Sequence, residues 1–364
     1  MKAVVLVGGV GTRLRPLTLD TPKQMLAVVE TRMIERVLAH LAEHGVDEAV
    51  LSLGYRPQCF VDAFPKGVAC GVRLSYAVDP EPLDTAGAIR FSALALGVTE
   101  TFLVVNGDVL TDADLSALVA RHAELGADAT IALTPVEDPS AYGVVPTDAG
   151  TRVLAFIEKP PPHEAPTNLI NAGLYVLEPS VLDRIPSGRA VSVERETFPA
   201  LVAEGRLFAW ASDAYWIDTG TPASYLRACA DLLTGARPGL PAPGAWSLSP
   251  GVWATGSPKV AGGVMPHSLV ADGAVVAAGA VVEDSVIGAG ARVEAGARVS
   301  GSALLAGSVV GAGATVEGSI IGEGATVGEG ASVSALSVLG NRAVVAPGSR
   351  AAAARIAAEP GATP

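Results

Sequence analysis

The chain opens on an apolar run, Ala3-Val4-Val5-Leu6-Val7, with the length and valine content of a strand buried on both faces. Met33-Ile-Glu-Arg-Val-Leu-Ala-His-Leu-Ala-Glu-His44 then spaces its apolar residues along one helical face and stops at Gly45. Residues 48–53 and 72–77 read as strands, 81–89 as a loop entering a helix, and 101–105 as a buried strand running into Asn106-Gly107-Asp108. Strands alternating with helices predict a mostly parallel α/β sheet, with ligands taken at the carboxyl ends of its strands. From 130 to 215 the texture changes to short strands and many turns.

Residues 236–263, rich in proline, glycine and alanine, read as a linker. Beyond them a six-residue period sets in: Val270, Val276 and Val282, then Ile287, Val293 and Val299, then Val310 and Val316, then Ile321, Val327 and Val333. Small residues fill the positions between. One inward aliphatic in six suits a three-sided parallel β-helix over 264–346, about 18 residues per coil and roughly four coils. Residues 347–364 read as a frayed tail or short cap.

At 364 residues there is enough chain for two cores. A hydrophobic content of 49% predicts a compact, soluble chain, and no apolar run approaches the ~18 residues of a membrane span. The first residues lack the cleavage pattern of a signal peptide. A net charge of −12 argues against nonspecific nucleic-acid or anionic-membrane binding. Cys59, Cys70 and Cys229 lack metal-like spacing and read as reduced thiols, which suits the cytoplasm.

The candidate chemistry begins where the first strand ends. Gly8-Gly9-Val-Gly11-Thr12 is a glycine-rich loop whose amides can converge on a phosphate chain, and Arg13, Arg15 and Lys23 set three cations beside it. Leu14 stands where a dinucleotide fingerprint needs its third glycine, and Gly11 is followed by Thr-Arg rather than the Lys-Ser/Thr of a Walker loop. His40-x-x-Glu43-His44 has the spacing of one zinc-peptidase pattern but reads better as an exposed helix face.

The run Gly8-Gly-x-Gly-Thr-Arg-Leu-Arg-Pro-Leu-Thr18, with Pro22-Lys23 close behind, resembles the signature of the nucleoside-diphosphate-sugar pyrophosphorylases, or sugar-phosphate nucleotidyltransferases. Tyr142-Gly143, Phe156-Ile-Glu158-Lys159-Pro160, Asn171-Ala-Gly173 and Trp216-Ile-Asp218-Thr-Gly220 resemble that family's later motifs, in its order. The resemblance covers roughly residues 1–235 and lies nearest the mannose-1-phosphate guanylyltransferase branch. The repeats resemble hexapeptide-repeat domains. The implied fold is α/β, a mostly parallel Rossmann-like sheet of nucleotidyltransferase type A, followed by a left-handed parallel β-helix.

The resemblance implies a reaction between a nucleoside triphosphate, GTP first, and a sugar-1-phosphate, mannose-1-phosphate first, with Mg²⁺. Another hexose phosphate or a cyclitol phosphate stays open. It implies that Leu6, Gly8, Gly9, Gly11, Thr12, Asp84 and Gly87 line the nucleotide, and that Arg13 and Lys23 act on its phosphates. Asp108 and Asp218 would hold the metal, Lys159 the sugar phosphate, and Gly143, Glu158 and Asn171 the sugar. Three departures bear on substrate choice: Asp84 stands where the guanylyl branch usually has glycine, Gln24-Met25 follow Lys23 in place of Pro-Leu, and Thr31-Arg32 replace a common Lys-Pro. A silent regulatory paralogue would be expected to have lost a cation or an aspartate. An acyltransferase would need a histidine within the coils, and the single one after residue 250, His267, precedes the clear repeats. The β-helix is therefore expected to serve as an oligomerisation or regulatory platform, in a homo-oligomer.

Overall fold

A computed structural model describes residues 1–79 and 81–359, so residues 360–364 of the expected tail lie outside the described residues. The chain folds as two compact units, one made of Met1–Gly9 and Ile34–Trp216, the other of Val10–Met33 and everything from Ile217 onward.

The first unit is the expected α/β sheet. Its strands run in the spatial order Ile157–Glu158, Gly143–Val144, Leu169–Leu177, Phe102–Asn106, Lys2–Leu6, Glu48–Leu53, Val72–Val78 and Val68–Ala69, while Ala129–Pro135 pairs with Leu169–Leu177 and with Leu207–Ala211. Lys2–Leu6 is parallel to both of its neighbours, in register with Glu48 to Ser52 on one edge and with Leu103 to Asn106 on the other. Ala3, Val4, Val5 and Val7 are fully buried, which accounts for the unbroken apolar run. Leu169–Leu177 runs antiparallel to Phe102–Asn106 and closes the parallel part of the sheet.

In the second unit, residues 10–33 form three single 3₁₀ turns, Thr12–Leu14, Leu17–Leu19 and Lys23–Met25, and a hairpin of Ala27–Val28 with Thr31–Arg32. The hairpin is held by helix Pro222–Thr234, whose Tyr225 hydroxyl donates to the Ala27 carbonyl. That helix starts at a reciprocal cap. The Thr221 side chain accepts from Ser224 N–H, and the Ser224 hydroxyl accepts from Thr221 N–H, both at 3.1 Å.

The rest of the second unit is a parallel β-helix of three stacked sheets. Its core is three aliphatic columns: Val270, Ile287, Leu304, Ile321 and Leu339; Val276, Val293, Val310, Val327 and Val345; Val282, Val299, Val316 and Val333, ending in Ala351. It begins before the expected boundary. Within the expected linker, Val252–Ala254, Lys259–Val260 and Gly263–Val264 already pair in parallel with Ser268–Val270, Val275–Val276 and Val281–Glu283. It also runs into the expected tail, through Arg350–Ala352 and Arg355–Ile356. The second and third sheets hold six strands each, so the helix is longer than the four coils predicted. The end coils escaped the pattern because Ala254 and Ala351 stand at inward places that hold Val270 and Val333 in the neighbouring coil, and because Val264 follows Val260 after four residues rather than six.

The coil is also tighter than 18 residues. Ile287 stacks on Val270 and Leu304 on Ile287, a repeat of 17, whereas Leu339 stacks on Ile321 at 18. The corner between the third and first sheets makes the difference. It turns on one left-handed residue at Asp284, Gly301, Gly318 and Ala353, and on two, Ala335 and Leu336, where the repeat lengthens to 18. Buried serines line this corner as a ladder. Ser302 N–H donates to Ser285 Oγ at 3.0 Å and Ser319 N–H to Ser302 Oγ at 3.1 Å, while each hydroxyl donates to a carbonyl of its own corner.

Two stability predictions follow from this packing. Ile321→Ala removes three carbons from the middle of a fully buried column, so chemical denaturation should show a loss of about 2–5 kcal/mol. A loss below about 0.5 kcal/mol, the scale of surface changes, would contradict the packed column. The second concerns Asp79, which follows the strand Val72–Val78 and whose N–H donates to the Leu53 carbonyl at 2.9 Å. No donor among the described residues reaches its buried Oδ1, and burial pushes its carboxyl from 3.8 up to about 6. Between those values the folded state holds the proton better than the unfolded chain, so stability falls as pH rises through that window and stays lowered above it. Asp79→Asn should therefore raise the thermal midpoint more at about pH 7.5 than at about pH 4. An equal shift at both would refute the assignment.

Candidate active site

In the first unit, the glycine loop and Asp108 leave the sheet side by side. Leu6 and Asn106 are register partners, and Gly107 N–H donates to the Leu6 carbonyl at 2.9 Å. Phe102–Asn106 lies on the opposite side of Lys2–Leu6 from Glu48–Leu53, so this is the point where strand order reverses and a crevice opens at the carboxyl ends. Gly8 and Gly9 are exposed there and Asp108 is half-buried. Gly8 lies close to Gly54 on the next strand end: a Cβ on Gly54 would sit 3.2 Å from the Gly8 carbonyl oxygen.

Asp84 and Gly87 fall on the first turn of helix Asp84–Ala95. Asp84 is exposed with φ +56°, a conformation that favours glycine, which accounts for the residue usual at this place in the resembling sequences. Its Oδ1 accepts the Thr85 N–H at 2.7 Å. The N–H groups of Ala86 and Gly87 both donate to the Val191 carbonyl, and a Cβ on Gly87 would lie 2.9 Å from that of Leu83. Gly87 is thus a packing position whose amide has a protein partner.

The predicted sugar-side residues gather on the antiparallel strands. Gly143 pairs with Glu158, and a Cβ on Gly143 would meet the Phe156 ring at 2.6 Å and Glu158 Oε2 at 3.3 Å. Lys159, held at φ +47°, donates its N–H to the Tyr142 carbonyl and pairs its ammonium with Glu158 at 3.0 Å. Asn171 sits at an irregularity of the sheet, its Oδ1 accepting from Gly173 N–H at 2.9 Å and its amide donating to the Tyr175 hydroxyl at 2.8 Å. Burial and the nearby Glu194 and Glu158 raise the Tyr175 hydroxyl well above its ordinary value, so it stays protonated. Tyr142 and Trp216 meet edge to face at 5.6 Å, and the Trp216 indole donates to the Ala172 carbonyl.

Glu194 is the neighbour that sequence reasoning missed. It accepts from the hydroxyls of Thr85 and Ser192, both at 2.8 Å, and lies on the π-helical turn Val193–Thr197. No turn or cap pattern in the sequence ties it to Thr85, which lies 109 residues away along the chain.

In the second unit, the cations and a carboxylate meet. Gly11 adopts φ +66°, its carbonyl accepts the Thr18 hydroxyl at 2.7 Å, and a Cβ there would press on the Lys23 stem at 3.2 Å. The loop thus folds back so that Thr12 and Arg13 open the turn while Lys23 lies against its base. Arg13 Nη2 stands 3.7 Å from Asp218 Oδ2, and Asp218 Oδ1 accepts the Gly220 N–H at 2.6 Å. A Cβ on Gly220 would lie 2.5 Å from Arg13 Nη2 and 2.7 Å from Asp218 Oδ1, so the glycine gives the pair the room it occupies. Asp218 is half-buried and Arg13 largely exposed. An anion can recruit such an arginine without first breaking a buried ion pair.

The zinc-peptidase pattern goes elsewhere: His40 Nε2 lies 3.0 Å from the Ala113 carbonyl and His44 Nδ1 2.9 Å from the Ser116 hydroxyl. For a hard cation, Asp108 and Asp218 offer the right donor type, half-buried carboxylate oxygens at a strand end and a strand-to-helix turn.

A family model described as nucleotidyl transferase matches residues 2–235, and one described as the GMPPB C-terminal domain matches 264–359. The chain is 46% identical over 238 residues to the mannose-1-phosphate guanylyltransferase of Mycobacterium tuberculosis, taking in 65% of this chain and 66% of that protein. It is 42% identical over 229 residues to the mannose-1-phosphate guanyltransferase of Yarrowia lipolytica, 62% of each. The match thus spans just under two-thirds of the length of these relatives. Among solved structures, HddC of Yersinia pseudotuberculosis superposes with a TM-score of 0.55 at 29% identity, over 63% of this chain and 97% of that one. A putative glucose-1-phosphate thymidylyltransferase from Bacillus anthracis superposes at 0.58 and 25%, over 63% and 94%. With its glycine loop, its strand-end carboxylate Asp108 and the strands carrying Gly143, Glu158 and Asn171 all inside the matched segment, the chain belongs to the nucleotidyl transferase family.

Proposed function

We propose that this protein is a sugar-1-phosphate guanylyltransferase with mannose-1-phosphate as its first acceptor. A phosphate oxygen of the sugar phosphate forms a bond to the α-phosphorus of GTP, and the bond from that phosphorus to the bridging oxygen of pyrophosphate breaks. The nucleophile is already an anion, so no general base is required, and the protein's task is to bring two anions together and carry charge off the leaving group. Arg13 and Lys23 do this at the triphosphate, and the amides of Gly8, Gly9, Gly11 and Thr12 wrap it. Lys159 binds the sugar phosphate, with Glu158, Asn171 and Gly143 toward the sugar. Asp108 and Asp218 would hold Mg²⁺, which would supply charge neutralisation to the phosphates.

The observation that carries this reading is the Arg13–Asp218 pair framed by Gly220. A cation and a carboxylate brought together at a phosphate loop answer both needs of pyrophosphate departure. The choice of mannose-1-phosphate and GTP draws on the names of the relatives at 39–46% identity. Asp84 supports guanine: an exposed carboxylate can accept from the adjacent N1–H and N2 amine, a pair that adenine and thymine do not present.

The test is pyrophosphate release from GTP, ATP, UTP and dTTP against a panel of hexose- and cyclitol-1-phosphates. Highest kcat/KM with GTP and mannose-1-phosphate is expected. Preference for another base or acceptor overturns the substrate assignment, and no turnover with any pair favours a regulatory paralogue. Asp108→Asn and Asp218→Asn should each lower turnover at least ~100-fold with the fold intact; near-normal turnover at low Mg²⁺ would remove that residue from the metal. Asp84→Gly relaxes a left-handed residue, so it should weaken discrimination against ATP without lowering the thermal midpoint. Unchanged discrimination would clear Asp84 of base choice.

A further inference from the structure

We infer that the β-helix corner Gly340-Asn341-Arg342 is a positioning element for the segment carrying Arg13 and Lys23, gripping it at Pro16 and at Asp20-Thr21. The inference rests on the reading that those two cations serve the triphosphate.

The corner between the first and second sheets turns on a left-handed glycine in four successive coils: Gly273, Gly290, Gly307 and Gly324 have φ from +63° to +66°. In the fifth coil the same place is Arg342, at φ +60°. Glycine is the unstrained residue there, and four coils use it. The arginine breaks the local rule, and what its side chain reaches is Asp20, with Nη2 3.3 Å from Oδ2. Asn341 precedes it, about nine-tenths buried. Its Oδ1 accepts the Glu323 N–H at 3.0 Å, which fixes the amide in place. Its NH₂ then donates to Asp20 Oδ1 at 2.9 Å and to Thr21 Oγ1 at 3.1 Å. Three of the amide's hydrogen-bonding positions are thus committed, two of them to the loop. Beside it Gly340 lets the coil approach Pro16, where a Cβ would lie 3.2 Å from the proline ring.

A second strained place meets the same row of corners. The hairpin after Lys23 turns on Val29 and Glu30, with φ of +51° and +63°, where a tight turn of this kind prefers Asn-Gly. Val29 is buried, and the Glu30 carboxylate accepts the Ala289 backbone N–H from an earlier corner. The segment between Arg13 and Glu30 is therefore tied to one edge of the β-helix at both of its ends, and the two departures from good local conformation fall at the ties. Strain that persists at a contact marks a geometry imposed by the surroundings. Short 3₁₀ turns have few backbone hydrogen bonds of their own. Without the grip, Asp20, Thr21 and the neighbouring Lys23 would sample many positions, and the phosphate site would have to be ordered at each binding event.

The test uses the full chain with Arg342→Gly, Asn341→Ala and the conservative Arg342→Lys. Arg342→Gly installs the residue the other corners use, so its thermal midpoint should equal or exceed that of the wild type. Hydrogen–deuterium exchange without ligand should quicken across residues 17–26 in Arg342→Gly and Asn341→Ala. kcat/KM for the triphosphate should fall about tenfold, as for loss of a charge-assisted hydrogen bond, and mainly through KM. Arg342→Lys should recover part of it. Unchanged exchange in both variants overturns the positioning role, whatever the activity. Kinetic losses that only follow the thermal midpoint, and that Ile321→Ala reproduces, overturn it as well. Faster exchange in a protein that turns over no triphosphate would uphold the grip and defeat the functional reading instead.

Discussion

The strand Lys2–Leu6 hydrogen-bonds to parallel neighbours on both edges and is buried on both faces, and the chemistry depends on where it stops. A strand with no free edge and no wet face can release its chain only at its end. The residues that follow must satisfy their amides with turns, side chains or ligand. The register Leu6 to Asn106 then puts a second strand end beside it, so the glycine loop and Asp108 leave the sheet from adjacent positions. The strand order reverses here, which in open α/β sheets leaves a crevice beyond the carboxyl ends of the strands.

Beyond Gly9 the chain has little regular structure of its own and borrows it. Gly11 turns the loop, Thr18 closes it, Gly220 gives Arg13 room to face Asp218, and Tyr225 holds the hairpin. The β-helix contributes to the same body, through Gly340, Asn341 and Arg342. In a stack that turns on glycine at this corner in four coils, the arginine in the same place stands out, and its partner Asp20 belongs to the segment of 3₁₀ turns. An aliphatic core that repeats every 17 residues in most coils makes a stiff edge against which an irregular segment can be set.

Much of this was legible in the sequence. The apolar run, the glycine loop and the six-residue valine period specify their elements directly, because burial on two faces, turning without a side chain and stacking at a fixed interval each restrict residue type at known spacing. The order of the motifs pointed to the family, and the glycine loop and Asp108 follow strand ends as periodicity suggested. The ends of the β-helix were not legible, since alanine stands at an inward place in the first and last coils and the first coil shortens the step from Val260 to Val264 to four residues. Nor was the 17-residue coil, which depends on whether a corner turns on one left-handed residue or two.

Tertiary structure decided the partnerships. Glu194 reaches Thr85, Gly87 gives its amide to Val191, Trp216 meets Tyr142, and Asn341 finds Asp20 across more than 300 residues of chain. Sequence patterns report what a residue requires of its neighbours in the chain: a period, a dihedral, a cap. A hydrogen bond between distant side chains leaves no period, and either partner alone is an ordinary surface residue. Their meeting depends on how each unit folds distant turns of its own chain together.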